Sequence, residues 1–264
     1  MFFLRRFLLT VPLLLAITLI AFLLVRVAPG GPFDRERQPA SPEVEKALQA
    51  RYHLDRPVIE QYLRYLGLWW ESRPDGSRQR VAGGLLLGDL GPSLKYRSHS
   101  VNDILGQALP VSATLGFLAF GFALGVGIPW GFYSAIRRGA WPDTVGNTLA
   151  LLAICIPALI LGPVLVMAFA LRARWFPVAL WESPWHAVLP TVTLGLFFAG
   201  RIARLLREGM RTTLEAEYIT TARAKGLRES TVLWKHAFRL ALLPVVSYSG
   251  PLLAYLLTGS FVVE

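Results

Sequence analysis

The sequence predicts an all-α, multi-pass membrane protein with five spanning helices and a small extracytoplasmic insertion between the first two. Three observations predict it. Apolar residues make up 54% of the 264-residue chain and mean hydropathy is +0.47, more grease than a soluble domain can bury. Those residues gather into uncharged runs long enough to cross a ~30 Å hydrocarbon layer. The formal net charge of +10 collects beside the runs, where retention of Lys and Arg on the cytoplasmic side explains it better than nucleic-acid binding does. The single cysteine, Cys155, lies within an apolar run, cannot form an intrachain disulfide, and reads as packing.

Residues 1–28 form the first span. Arg5 and Arg6 precede a charge-free run from Phe7 to Val25 and place the N-terminus in the cytoplasm. A cleaved signal peptide also starts basic, but its apolar core is shorter, ~7–15 residues, and no A-x-A-like site precedes the turn. That turn is Ala28-Pro29-Gly30-Gly31-Pro32, where proline removes an amide donor and glycine admits a reversal. Residues 29–104 form the extracytoplasmic region. A helix is expected there, opening at Pro42 after Ser41 and continuing through Val44 and Leu48, with Tyr62, Leu63 and Leu66 later at helical spacing. Tyr65, Trp69 and Trp70 read as an aromatic cluster at a water–lipid boundary in preference to a ligand platform. Gly83, Gly84 and Gly88 mark turns.

Residues 105–264 form the core, with spans at about 109–135, 144–171, 187–206 and 240–263. Gly121, Gly125, Gly127 and Gly131 recur in the second span and permit close approach of another helix, or a pore wall. Pro157 and Pro163 invite bends in the third. In the fourth, Arg201, Arg204, Arg207 and Arg211 stack along one face, and a headgroup-facing stripe is favoured over a specific acidic partner.

Outside the fourth span no ionisable residue sits at mid-depth. A charge at a helix centre costs about 2.5–3.5 kcal/mol, so a proton- or sodium-coupled carrier would be expected to show some. No phosphate-cradling Gly-Lys-Ser/Thr sequence occurs, and His53, His99, His186 and His236 are scattered, so no catalytic, cofactor or metal site is expected in this chain. Energy for any transport must come from a separate subunit.

The cytoplasmic segment at about 207–239 is the sharpest feature. Glu215 to Lys225 are good helix formers with Tyr218 and Ala222 on one face, and Gly226 offers the left-handed geometry that ends a helix. In the helix that follows, Leu233, Ala237 and Leu240 fall on one side, Lys235 and Arg239 on the other. A solvated basic loop is the plain alternative; a rigid docking ledge fits the pattern better.

TTARAKGL in this segment, ALLP at Ala241 to Pro244, and the flanking APGGP, GDLGPSLKYRS and LTGSFVVE together resemble ABC-importer permeases of the dipeptide/oligopeptide/nickel branch, B-type subunit. The family's EAA triplet falls at Thr220, Thr221 and Ala222 and its glycine at Gly226. Two of the three triplet residues differ, and Leu243-Pro244 lies farther from the glycine than in the general pattern. The resemblance implies a type I ABC importer transmembrane fold in a bacterial cytoplasmic membrane, with a sixth helix expected beyond Glu264, so the sequence reads as a partial chain. It implies a permease rather than an enzyme, forming half of a translocation path for oligopeptides. The implied partners are a homologous second permease, two ABC ATPases that hold ATP and magnesium, and an extracytoplasmic peptide-binding protein. The implied ATPase-docking residues are Tyr218, Ile219, Thr220, Thr221, Ala222, Arg223, Ala224, Lys225, Gly226 and Leu227. Dipeptide, nickel or another solute stays open within the class; a secondary carrier or a structural membrane protein is disfavoured by the missing buried charges and by the ledge.

Overall fold

The charge-free run after Arg6 folds as one helix, α1 (Phe2–Val27), with no acidic residue in its first turn and Arg26 in its last. Most of its apolar side chains stay uncovered, Phe7 by 68% and Leu24 by 65%, as lipid-facing surface requires, and Phe22 is the buried exception among them. The structure, a computed structural model, describes residues 2–27, 53, 55–72, 78–80, 83–93, 96, 99–178 and 180–258. The turn expected at Ala28 to Pro32 and the helix start expected at Pro42 to Leu48 lie outside the described residues. The chain divides into two compact units, Met1–Gln107 and Ala108–Glu264.

In the first unit, α2 (Val58–Leu66) follows Pro57 and stops at Gly67, which adopts the left-handed conformation at φ 78°. Its buried face seats Tyr62 and Leu66 against Phe22 of α1. The Tyr62 hydroxyl donates to the Leu15 carbonyl at 3.0 Å, and Arg26 Nε donates to Gln61 Oε1 at 2.7 Å. The all-α expectation holds for the fold as a whole, and the insertion adds one short two-stranded sheet. Strands β1 (Trp70–Ser72) and β2 (Arg78–Arg80) pair antiparallel with Trp70 opposite Arg80, and Asp75-Gly76, a hairpin-turn dipeptide, stands between them in the sequence. Tyr65 turns toward Phe22, ring centroids 5.7 Å apart, while Trp70 stays exposed on its strand. Arg64 ties α2 to β1 by bonding both Glu60 and Glu71.

The second unit is built on α3 (Val101–Ile136), whose first residues belong to the first unit, then α4 (Trp141–Cys155), α5 (Ala158–Arg172), α6 (Val188–Leu214), α7 (Glu217–Ala224), α8 (Glu229–Ala241) and α9 (Leu243–Leu257). α6 is the hub, with Ile202, Leu206 and Met210 wholly buried. Its neighbours approach through glycine. A Cβ on Gly127 of α3 would stand 2.7 Å from the Ala199 carbonyl oxygen, one on Gly200 2.8 Å from that of Ala150 in α4, and one on Gly209 2.7 Å from that of Ala241 in α8. Gly131 is pressed equally hard on Ala203, whereas Gly121 and Gly125 face open space. The glycine run of α3 therefore splits into a packed half and an open half.

Among the described residues three helices are long and apolar enough to cross a membrane, Arg5–Arg26, Val101–Ile136 and Pro184–Leu214, and the number reaches five if each of two bent pairs is one span. The expected third span is not a single rod. α4 and α5 meet at 103° because Ile156, ahead of Pro157, is driven to extended backbone (φ −81°, ψ 116°) and Pro157 cannot donate to the preceding turn. Pro163 stays inside α5, ahead of a π-helical turn at Val166–Arg172. α8 and α9 meet at 44°. α3, at 36 residues, extends past the expected 109–135 at its start. The end of the expected fifth span, residues 259–263, lies outside the described residues.

Candidate functional site: the α7–α8 hairpin

The C-terminal half of α6 is amphipathic, and its buried face, ending at Met210, provides the seat for a hairpin. Ala216 is extended (φ −73°, ψ 146°) and opens α7 without a side-chain cap; Glu217 in the first turn complements the helix dipole. Ile219 and Ala222 turn inward and join one core cluster with Met210, Val232 and Ala237. Tyr218, Thr220, Thr221, Arg223, Ala224 and Lys225 face out.

The stop after α7 is set by Gly226 at φ 76°. Its N–H donates to the Arg223 carbonyl at 2.9 Å, and the Leu227 N–H donates to the Ala222 carbonyl at 3.4 Å, the pair of bonds that closes a helix through a left-handed residue. Arg223 then reaches across the reversal, donating from Nε and a terminal nitrogen to the Glu229 carboxylate at 3.1 and 2.7 Å. That hydrogen bond raises the Arg223 pKa above its ordinary value, so the clasp keeps its charge.

Two sequence expectations change here. Ala222 does not share an outward face with Tyr218; it lies under the ledge, 7% exposed, and is part of the hairpin's own support. Leu240 does not join Ala237: past the π-helical turn at Val232–Ala237 the helix is regular and its inward face steps four residues, from Ala237 to Ala241; Val232, Ala237 and Ala241 are buried and Leu240 is 49% exposed. The ten residues expected to dock a partner thus separate into an outer surface of Tyr218, Thr220, Thr221, Arg223, Ala224, Lys225, Gly226 and Leu227, and an inner pair, Ile219 and Ala222.

Asp143 and Arg207 were missed as a pair. Arg207 does not behave as one more member of a headgroup-facing stripe; its Nε donates to Asp143 Oδ1 at 2.6 Å and a terminal nitrogen to Oδ2 at 2.9 Å, a two-pronged bond joining α6 to the first turn of α4. Asp143 also accepts from the Gly139 N–H at 3.2 Å. Arg201, Arg204 and Arg211 remain exposed. The available signal was a lone carboxylate at the mouth of an apolar run, beside a proline that opens a helix. At the end of α3, Arg138 bonds Glu215 at 2.5 Å, just ahead of the hairpin. Among the described residues no group of three His, Cys, Asp or Glu side chains could hold a metal ion.

Residues 127–264, which take in the C-terminal end of α3 and everything after it, match the family described as binding-protein-dependent transport system inner membrane component. The chain belongs to this family. The hairpin and its α6 seat thus fall inside the matched region of a binding-protein-dependent transport component. Over its whole length the chain is 41% identical to the dipeptide transport system permease protein of Bacillus subtilis, covering 80% of that protein. It is 39% identical to the oligopeptide transport system permease protein of Escherichia coli strain K12 and 37% identical to that of Haemophilus influenzae, covering 81% of each. The resemblance read from TTARAKGL and its flanking motifs is borne out at the level of family and permease class. This inner membrane component is a multi-pass permease subunit and not an enzyme.

Proposed function

We propose that the chain is one of two membrane-spanning halves of an ATP-driven importer of oligopeptides, and that the outer surface of the α7–α8 hairpin docks an ATPase subunit. The observation that carries the docking reading is the division of α7 into a buried support, Ile219 and Ala222, and an exposed polar face, Tyr218, Thr220, Thr221 and Arg223, locked by the Gly226 stop. A ledge held from beneath can transmit force, whereas a loose basic loop cannot. Its partners are a homologous second permease, two ATPases that carry the ATP and magnesium, and an extracytoplasmic peptide-binding protein; this chain binds no cofactor of its own. The N-terminus, with Arg5 and Arg6, and the hairpin, with its arginines and Lys225, lie on the cytoplasmic side by the excess of positive charge. Dipeptides are the second reading, favoured by the identity to the Bacillus subtilis permease.

The experiment is uptake of a labelled oligopeptide into vesicles holding the whole assembly, together with crosslinking from a cysteine placed at Thr220. Import that needs ATP, with a crosslink to an ATPase subunit, is expected. ATP-independent uptake, or crosslinks that reach only lipid, would overturn the reading.

A further inference from the structure

α8 makes two different kinds of contact with the helices around it. Its inward residues Val232, Ala237 and Ala241 are buried, and Ala241 meets α6 at Gly209. On another side Trp234 and Phe238, one helical turn apart, meet Phe132 near the end of α3. Phe132 stacks on Trp234 with ring centroids 4.4 Å apart at 29°, and lies across Phe238 at 5.6 Å and 88°. Trp234 and Phe238 are themselves 5.1 Å apart at 62°, which closes a triangle of rings across the two helices. Trp234 belongs to the π-helical turn at Val232–Ala237, a rare turn found mostly at functional sites.

The two kinds of contact differ in what they resist. α3 meets α6 at Gly131 and α8 meets α6 at Gly209, each a glycine laid on an alanine backbone. Side-chain ridges set in grooves oppose sliding, and surfaces this smooth offer few ridges. The rings grip instead. Phe132 has one ring nearly parallel to it and one perpendicular, so slip of α8 in any direction spoils at least one favoured geometry. Trp234 is 56% exposed, and an exposed indole also suits a headgroup layer. A headgroup anchor has no need of a ring on the neighbouring helix, and this indole spends a face on one.

We infer that Phe132, Trp234 and Phe238 form the joint that makes α3 follow the α7–α8 hairpin. This rests on the ATPase-docking reading above. The hairpin is clamped to α6 at Gly209, and the joint brings a second long helix, the 36-residue α3, under the same control. Without the rings the hairpin still docks, but α3 lags behind it. The three are positioning residues for transport and touch neither cargo nor nucleotide.

The test uses the full permease–ATPase assembly in nanodiscs, on a Cys155→Ser background, with spin labels at the exposed positions Leu118 of α3 and Ser230 of α8. With the native rings the label distance should be the same in ATP and after trapping with ADP and vanadate. With Trp234→Ala it should differ between the two states by about 2 Å, the size of helix shifts at interfaces. A distance that stays fixed without the indole shows that α6 alone holds the two helices, and overturns the inference. In the transport arm, peptide-loaded binding protein feeds the assembly. Trp234→Ala and Phe132→Leu should each lower peptide delivered per ATP by about tenfold, a loss in keeping with one or two ring pairs, with ATP hydrolysis and the crosslink from position 220 unchanged. Trp234→Phe keeps a ring and should keep most of the delivery. Equal loss in Trp234→Phe and Trp234→Ala assigns the indole to the headgroup layer and overturns the joint. Failed assembly of both Trp234→Ala and the bulkier Phe132→Leu assigns the rings to packing and overturns it as well. Should the native assembly hydrolyse ATP and deliver no peptide, the peptide-import reading fails, while the label distances still decide the joint.

Discussion

Removing the charge of Asp143 should loosen α6 from α4. Two bonds of 2.6 and 2.9 Å hold the pair, whose side chains are 7% exposed for Asp143 and 20% for Arg207. Deleting one partner of a buried pair costs about 3–5 kcal/mol, since the survivor is left charged and unmatched. Water still reaches Arg207, and an amide oxygen can accept from it, which brings the expectation for Asp143→Asn down to about 2–3 kcal/mol. In a unit of this size each kcal/mol is worth about 2–4 °C, so the unfolding midpoint should fall by about 4–12 °C. The assay is thermal unfolding of the purified assembly in nanodiscs for Asp143→Asn, Arg207→Gln and the double variant. The double variant should be no worse than the poorer single one, giving a coupling of about 2 kcal/mol. Losses that add, with coupling under about 0.5 kcal/mol, would refute the claim that the two side chains act as one fastening.

Gly226→Val should disorder the stop after α7, since a β-branched residue strains at φ 76° by more than the ~1–2 kcal/mol of an ordinary side chain, whereas Gly226→Asn should retain it; the Thr220 crosslink yield reports both. Ala222→Asp should lower the yield of folded protein, because the carboxylate enters the hairpin's support, while Thr221→Arg should leave the yield unchanged and cut the ATPase crosslink from position 220; equal yields for the two would contradict the inside–outside division of α7. Gly131→Leu should abolish packing of α3 on α6 and with it the folded protein, while Gly125→Leu, facing open space, should be expressed normally, as a membrane-fraction immunoblot will register.

Much of this was legible because lipid imposes a coarse code. Run length and flanking arginines marked α1 and α3, and Gly226 announced the stop after α7, since few residues accept that backbone geometry. What stayed hidden depended on registry. The inward face of α8 stepped from Ala237 to Ala241 and left Leu240 outside; steps of three and of four are both helical, and composition does not choose between them. Ala222 was read as an outer contact because helical spacing says which residues share a face but not which way the face looks. The bend at Pro157 was anticipated in kind and not in size; a proline sets where a helix breaks, and packing sets the angle. Asp143 and Arg207 lie 64 positions apart, and only the crossing of α4 with α6 brings them together.

α6 runs 27 residues without a break, ~40 Å from Val188 to Leu214, and the hairpin is clamped to its far end through Gly209. Such a rod is a lever: tipped by ~10° at the hairpin, it carries its opposite tip sideways by ~7 Å, about the width of a peptide backbone with its side chains. A ratchet at one membrane face would then open a gate at the other with no signal relayed through the side chains between.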